Sequence, residues 1–418
     1  MTNEIIDPRQ QRGIIIAATC RLKQKGKAWL VPSQSGKPAY TVVPDEHQPH
    51  CSCPDHETTG KRCKHIHAVE ITIKREENED GSVTETRTLT LTQKRTTYPQ
   101  NWTAYNQAQN NEKDLFQKLL RDLCRDLPDR PKTKGTQYLR TADAVFAAVF
   151  KVYSTMSARR FMTDLRAAKD AGHISKAPCH NSVLGVFETE EMFPILKALV
   201  ERSALPLKSL EEKFACDSSG FSGCRYDRWI CEKYGPAMQK SLRVWVKAHI
   251  MCGTRTNCIT AVEIHEQNAN DGAQLRPLLA TTAKNFAITE LSADLAYSTH
   301  GNLEAIDALG AAPMIPFKKN ASDYTGGLWA TMFHYFQFQR EAFLKRYHQR
   351  SNVESVFSMC KRKFGDSLRS KTDVAMKNET LCKFIAHNIC CVIQEIYESG
   401  IDPACWAETP VAQQVNAG

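Results

Sequence analysis

Three cysteines and one histidine fall within fifteen residues of this chain, in the stretch HCSCPDHETTGKRCKHIHA. Cys51 and Cys53 are one residue apart. After nine intervening residues comes Cys63, and after one more, His65. Three thiols and one imidazole are a full tetrahedral ligand set for Zn²⁺, which takes sulfur and nitrogen in closed structural sites. The spacing places the first pair on a knuckle after a strand and the second pair at the start of a helix through residues 66–70. Residues 27–32 and 39–43 alternate as strands around a turn at 33–38, and residues 82–92 read as a further β-type run. A core this small needs a metal staple. His56 and His67 stand nearby, and His67 reads as a helix-surface residue. The remaining cysteines carry no comparable spacing. Cys224 and Cys231, Cys252 and Cys258, and Cys390 and Cys391 lack a partner histidine or a second knuckle, so they read as core thiols.

The rest of the 418 residues divides by pattern. Residues 93–113 are rich in Gln, Asn and Thr and read as a linker. Residues 114–125, 141–156, 158–171 and 188–202 carry apolar residues at helical spacing, with Ser157 as an N-cap. From about 211 the pattern alternates. Strands are expected at 213–217, 242–252, 257–265, 287–294 and 312–316. Helices are expected at 271–284, 300–309, 328–365 and 377–399. The expected organisation is a zinc-stapled β/α module at 1–95, a linker at 96–113, a helical domain at 114–210, an α/β domain at 211–400 and a tail at 401–418. The fold class is thus multidomain α/β, a mixed sheet flanked by helices preceded by the helical and zinc-stapled parts. No apolar run approaches a membrane span, and the opening MTNEIIDPRQQRGIIIAAT makes a poor secretory signal, so a cytoplasmic location is expected.

Three carboxylates stand out in the α/β region. Asp217, in KFACDSSGFS, and Asp294, in ELSADLAY, close predicted strands. Glu354 lies on a predicted helix in RYHQRSNVESVFSMCKRKFG. On a strand–strand–helix frame they can converge at the carboxyl edge of a sheet. Such a cluster needs divalent cations to neutralise it. Two Mg²⁺ ions about 3.5–4 Å apart can clamp the attacking and leaving oxygens of a phosphodiester displacement. Arg350, Glu354 and Lys361 follow at spacings of four and seven on one helix face, with Tyr347 a turn before. Residues 340–371 hold nine basic and three acidic residues, a net +6 that includes Arg362 and Lys363. The whole chain carries +9, from 55 Lys and Arg against 46 Asp and Glu. Both excesses suit a DNA backbone.

The pattern Y-x2-R-x3-E-x6-K, here Tyr347, Arg350, Glu354 and Lys361, resembles the signature of DDE transposases of bacterial insertion sequences, in insertion-sequence family four. ADLAY and CDSSGFS resemble that family's two Asp elements. RRFMTDL, WVKAH, IPFK and KRKFGDSLRSKT extend the resemblance over about residues 135–400. It implies an RNase H-like core, with Asp217, Asp294 and Glu354 holding Mg²⁺ or Mn²⁺. It implies contacts of Tyr347, Arg350 and Lys361 with the transposon end. It further implies double-stranded DNA as partner, both as inverted-repeat ends and as target. A homodimer or larger synaptic complex on the bacterial nucleoid follows from the same resemblance. Leu295 departs from it, since relatives often carry a basic residue there. C-x-C-x9-C-x-H is similar to the SWIM-type zinc finger, which binds DNA or protein.

Residues 141–171 suit a helix-turn-helix with Arg159, Arg160, Arg166 and Lys169 on its second helix, or a plain solvated basic face. Lys247 and His249 alternate on a strand beside that of Asp217, and either face the acids or read as exposed. Trp329 reads as core packing, and His173 and His180 as flanking a loop. Two further functions compete with transposition: an inactive or domesticated relative that binds DNA without cutting, and a metal-dependent endonuclease that does not join strands.

Overall fold

A computed structural model describes residues 7–33, 39–45, 48–76, 100–129, 139–223, 245–266, 269–324 and 326–403. The run at 82–92, most of the turn at 33–38, and Cys224 and Cys231 lie outside these residues. The chain divides into two units, Met1–Thr96 and Thr97–Gly418.

The first unit begins with a helix, Pro8–Thr19, which the sequence reading missed. Asp7 caps it by accepting from the Arg9 amide, and Pro8 fits the first turn, where no amide is needed. Four antiparallel strands follow in chain order: β1 Lys23–Lys25, β2 Ala28–Val31, β3 Tyr40–Val43 and β4 His50–Cys51. Their pairing sets Trp29 opposite Val42 and Val42 opposite Cys51. These residues and Val31 are buried, so one face of the small sheet forms the core. Helices Pro54–Thr59 and Lys64–Glu76 complete the unit. The Pro8–Thr19 helix lies so close to Lys64–Glu76 that a Cβ on Gly13 would stand 2.6 Å from the His67 Cβ. Glycine is required at that crossing.

The second unit begins with a helix where a linker was expected. Trp102–Cys124 is one helix, capped by Asn101, and it takes up residues 102–113 of that stretch. Its first turns bury only Ala104 and Ala108, a narrow stripe of small residues amid Gln and Asn. The stripe continues through Phe116, Leu119, Leu120 and Leu123, which anchor the whole helix. Helices Thr141–Ser154, Ala158–Asp170, His180–Phe187 and Met192–Ala204 follow. His180 opens the third of these helices, at the end of the loop that follows Ala158–Asp170.

A five-stranded mixed sheet occupies the second half. Its strands are β5 Lys213–Ser222, β6 Trp245–Gly253, β7 Ile259–Glu266, β8 Glu290–Ala293 and β9 Ala312–Met314. They lie in the order β7-β6-β5-β8-β9. The first three are antiparallel, whereas β8 and β9 run parallel to β5. The helices Asp271–Ala283 and His300–Asp307 supply the crossovers that parallel pairing needs. The expected helix at 328–365 is broken into Gly327–Phe338, Arg340–Tyr347, a tight turn at His348–Arg350, and Ser351–Phe364. The break comes where Gln339 leaves helical geometry, at φ −119° and ψ 43°.

The helix Asp373–Glu398 packs on Met192–Ala204, Trp102–Cys124 and Thr141–Ser154 and also touches β6 and β7. Asn388 on it is fully buried. Its side-chain amide donates to Ile259 O at 2.7 Å, Ser203 Oγ at 2.9 Å and Val200 O at 3.1 Å. Its oxygen accepts from the Ile259 amide at 2.7 Å. Asn388→Ala leaves several buried groups without partners and is expected to destabilise the unit by about 3 kcal/mol. A lower urea midpoint with an unchanged slope would show it. No helix among the described residues is long and apolar enough to cross a membrane.

Candidate active site and metal centre

Asp217 lies within β5 and Asp294 directly follows β8. The parallel register pairs Cys216 with Ala293, so the two aspartates emerge side by side from neighbouring strands. Asp294 caps the turn Leu295–Tyr297 by accepting from the Ala296 amide at 2.8 Å. Leu295 in that turn is exposed. Glu354 sits in the first turn of Ser351–Phe364, which packs on β5 and β6. Arg350 joins two of the three acids. Its Nη1 donates to Asp217 Oδ2 at 2.7 Å and its Nη2 to Glu354 Oε1 at 2.6 Å.

The electrostatics follow from this crowding. Burial raises the Asp217 carboxyl above its ordinary value, and the charges of Asp294 and Glu354 push the same way. The Ser218 amide, at 2.7 Å, and Arg350 oppose them. Burial also raises the Tyr347 hydroxyl, with Asp294 and Asp217 adding to the effect. Tyr347 therefore faces the acids, with the Arg350 guanidinium 5.9 Å from its ring. Lys361 reaches back to Ser219 Oγ at 2.7 Å and lies over the Phe221 ring. Asp217, Ser219, Glu354, Lys361 and Arg362 line an open groove of about 720 Å³. Carboxylate oxygens are the donor type that hard divalent ions such as Mg²⁺ or Mn²⁺ take, but here the Arg350 guanidinium stands between Asp217 and Glu354, and the three acids are not drawn within ligand distance of one another as the cysteine cluster is.

The expected basic residues divide by environment. Arg362 is exposed beside the groove. Lys363 is engaged by Glu112 of the Trp102–Cys124 helix. Arg159, Arg160, Arg166 and Lys169 are exposed on Ala158–Asp170, while Thr141–Ser154 before it is buried on most sides. Trp329 is half-buried, stacked on His300 at 3.9 Å.

Lys247 and His249 differ from expectation. His249 is fully buried, and Lys247 is half-buried. Asp271, at the start of the helix that packs over β6 and β7, covers both. Lys247 Nζ pairs with Asp271 and donates to Ala269 O at 3.1 Å. Asp271 Oδ1 also accepts from Ser218 Oγ at 3.0 Å. Burial pulls His249 down to about 4, so it is neutral near pH 7. The sequence reading did not single out Asp271, Ser218 or Ser219. The alternation of Lys247 and His249 on β6 was the available sign that something acidic covers that face.

The cysteine cluster forms as its spacing implied. The ligand atoms of Cys51, Cys53, Cys63 and His65 all lie within 4.8 Å of one another, and all four residues are buried. Strand β4 presents Cys51, Cys53 caps Pro54–Thr59, and Cys63 and His65 flank the start of Lys64–Glu76. His65 Nδ1 stands 3.9 Å from Cys51 Sγ and 3.8 Å from Cys63 Sγ. These separations suit one tetrahedral ion with bonds of about 2.0–2.3 Å. Its neighbours, Cys51 first, lower the Cys63 thiol to about 3, despite burial. Cys51 moves the other way, because a second buried thiolate beside the first is unfavourable. His56 bonds Lys61 O and His67 pairs with Glu70, so both stand apart from the ligand set. It is the one such cluster among the described residues.

Set against known families, residues 208–389 match the family model described as Transposase DDE domain. No curated protein matches the chain. The match spans β5 to β9 and Asp217, Asp294 and Glu354. It gives those residues a transposase DDE domain, which implies a nuclease or transposase enzyme that uses a divalent metal.

Proposed function

We propose that the chain is a DNA transposase that cuts phosphodiester bonds at the ends of its element and joins the freed 3′-hydroxyl to target DNA. The observation that carries this reading is the meeting of Asp217 and Asp294 at adjoining parallel strands, with Glu354 linked to Asp217 through Arg350. The strand order, 3-2-1-4-5 by appearance with the first three antiparallel, supports an RNase H-like core. Asp217, Asp294 and Glu354 would hold Mg²⁺ or Mn²⁺, which supplies Lewis-acid polarisation of the phosphate and activation of the attacking oxygen.

The chain's own residues do the remaining work. Arg350 and Lys361 border the carboxylates, so a phosphate entering the groove meets fixed cations; Arg suits bidentate contact and Lys a point charge. Tyr347, held by Arg350, contacts the DNA end and is not a nucleophile. Two successive in-line displacements, by water and then by the 3′-hydroxyl, need no covalent protein–DNA intermediate. Arg159, Arg160, Arg362 and Lys363 extend the DNA contact, with the helical region as the end-binding part. The cysteine cluster is a SWIM-type finger holding Zn²⁺. The active form is a homodimer or larger synaptic complex on bacterial DNA in the cytoplasm.

The test is nick mapping with the purified chain and a DNA fragment carrying its gene with native flanks. Cleavage at two inverted boundaries with Mg²⁺, absent with EDTA, is expected, together with strand-joined products. Boundary binding without nicks would indicate a domesticated binder. Boundary nicks that are never joined would indicate an endonuclease. Scattered nicks would overturn the reading.

A further inference from the structure

One buried cation in the second unit has no partner. Lys151, on Thr141–Ser154, is 6% exposed, yet its ammonium makes no hydrogen bond or ion pair among the described residues. It lines a cavity of about 420 Å³ together with Ser157, Leu184, Phe187, Arg369 and Lys371. Two carboxylates also border this cavity, and both are committed elsewhere. Glu379 accepts from the Arg369 amide at 3.0 Å and the Ser370 amide at 2.8 Å. Glu188 accepts from the Thr372 hydroxyl. Glu379 acts on Lys151 through its charge but makes no ion pair with it, so the buried ammonium is only partly compensated, and an anionic ligand in the cavity would complete the compensation. Burial lowers Lys151 to about 8, which leaves it mostly protonated at neutral pH.

The cavity does not stand alone. A neighbouring hollow is lined by Thr155, Phe364, Arg369 and Lys371, which it shares with the cavity. The same hollow shares Gly365 and Asp366 with the groove at Asp217 and Glu354. The three hollows adjoin one another through these shared residues, in order from the carboxylates to Lys151. Arg369 is fixed where it lines two of them by donating to the backbone carbonyls of Thr155 and Met156. Lys371 donates to Gly223 O at 3.0 Å and keeps further donors for a ligand.

We infer that the Lys151 cavity is a phosphate-binding subsite that holds one phosphodiester of the DNA strand passing along these hollows. The apolar walls, Leu184 and Phe187, suit the sugar of the same nucleotide. Lys151 supplies the positive charge, and Lys371 adds a second at the rim. The inference rests on the DNA-cutting reading, because a hollow that adjoins the carboxylate groove suits a DNA phosphate over a free one.

The test uses the full chain and a fluorescein-labelled DNA duplex of mixed sequence, with affinity measured across a salt series. Lys151→Met is expected to weaken binding several-fold and to flatten the plot of log Kd against log salt by about 0.9, the value of one lost phosphate contact. Lys151→Arg is expected to restore most of the slope. Leu184→Glu is a second probe, because Leu184 is 45% exposed and its replacement does not disturb the core. It places a negative charge at the cavity and is expected to weaken binding as well. Unchanged affinity and slope in Lys151→Met and Leu184→Glu would overturn the subsite and leave the DNA reading standing. A wild-type chain that does not bind the duplex would overturn the DNA reading, and the subsite with it. Thermal stabilisation by inorganic phosphate that Lys151→Met abolishes, with the DNA slope unchanged, would identify a free-anion site and also overturn the inference.

Discussion

Asp217→Asn is expected to lower cleavage at the element ends by on the order of 10³-fold or more, while leaving the protein as stable as before or more so. The two halves of this result have one origin. Asp217 is surrounded by features that disfavour its charge: burial, Asp294 and Glu354. A carboxyl raised in this way makes the folded state less stable when it ionises near neutral pH. Asparagine keeps the shape and removes the charge. It also removes one of the oxygens available to a divalent ion and one of the two acids that hold Arg350. A structural acid would behave in the opposite way, because losing it strands its partner and lowers the melting temperature. Activity assays and thermal melts on the same preparation therefore separate the roles. Unimpaired cleavage by Asp217→Asn would remove Asp217 from the catalytic set.

Removal of zinc is expected to unfold the Met1–Thr96 unit outright. Its buried hydrophobic cluster, among the described residues, has ten members, and three of them are Cys51, Cys53 and Cys63. The remaining seven include Trp29, Val42, Ile66 and Ile16, too few to hold a helix–sheet pair alone. Without an ion, three buried thiols crowd one another. One is driven toward thiolate and its neighbours are held protonated. A dication allows all three to ionise together, and structural zinc sites contribute about 10–16 kcal/mol of apparent binding free energy. We expect one zinc per chain by elemental analysis. Chelation, or Cys63→Ser, is expected to open this unit to protease while the second unit stays resistant. An unaltered digestion pattern after complete metal removal would show that the cluster is not a structural staple.

Much of this arrangement was legible before any coordinates. The strands of the sheet were visible as short apolar runs, and the end of β8 marked Asp294. Asp217 was expected to close its strand, but β5 continues to Ser222 and leaves it mid-strand, because the polar residues Ser218 and Ser219 hid the continuation. The spacing of four between Arg350 and Glu354 announced their ion pair, since residues so spaced meet on a helix. The contact of Arg350 with Asp217 was not legible. It joins residues 133 apart in sequence, and only the packing of Ser351–Phe364 against β5 creates it. The helix over residues 102–113 was hidden because Ala104 and Ala108 are small and their neighbours are Gln and Asn. His180–Phe187 was hidden by its length of eight residues and by Gly185. Lys247 and His249 looked exposed because charge on a strand normally is. Asp271 reverses that by bringing an opposite charge to the same face.

The placement of Asp373–Glu398 bears on how the molecule is made. This helix packs against elements that a ribosome would release long before it, including Trp102–Cys124 and Met192–Ala204. During synthesis those helices wait with their apolar faces open, and the strands behind them wait too. A nascent chain that stalls before residue 373 carries Asp217, Asp294 and Glu354 but lacks the helix that packs on Trp102–Cys124, Thr141–Ser154 and Met192–Ala204, so those helices keep exposed apolar faces until the last part of the chain is made. The helical part of the second unit is therefore completed only late in synthesis.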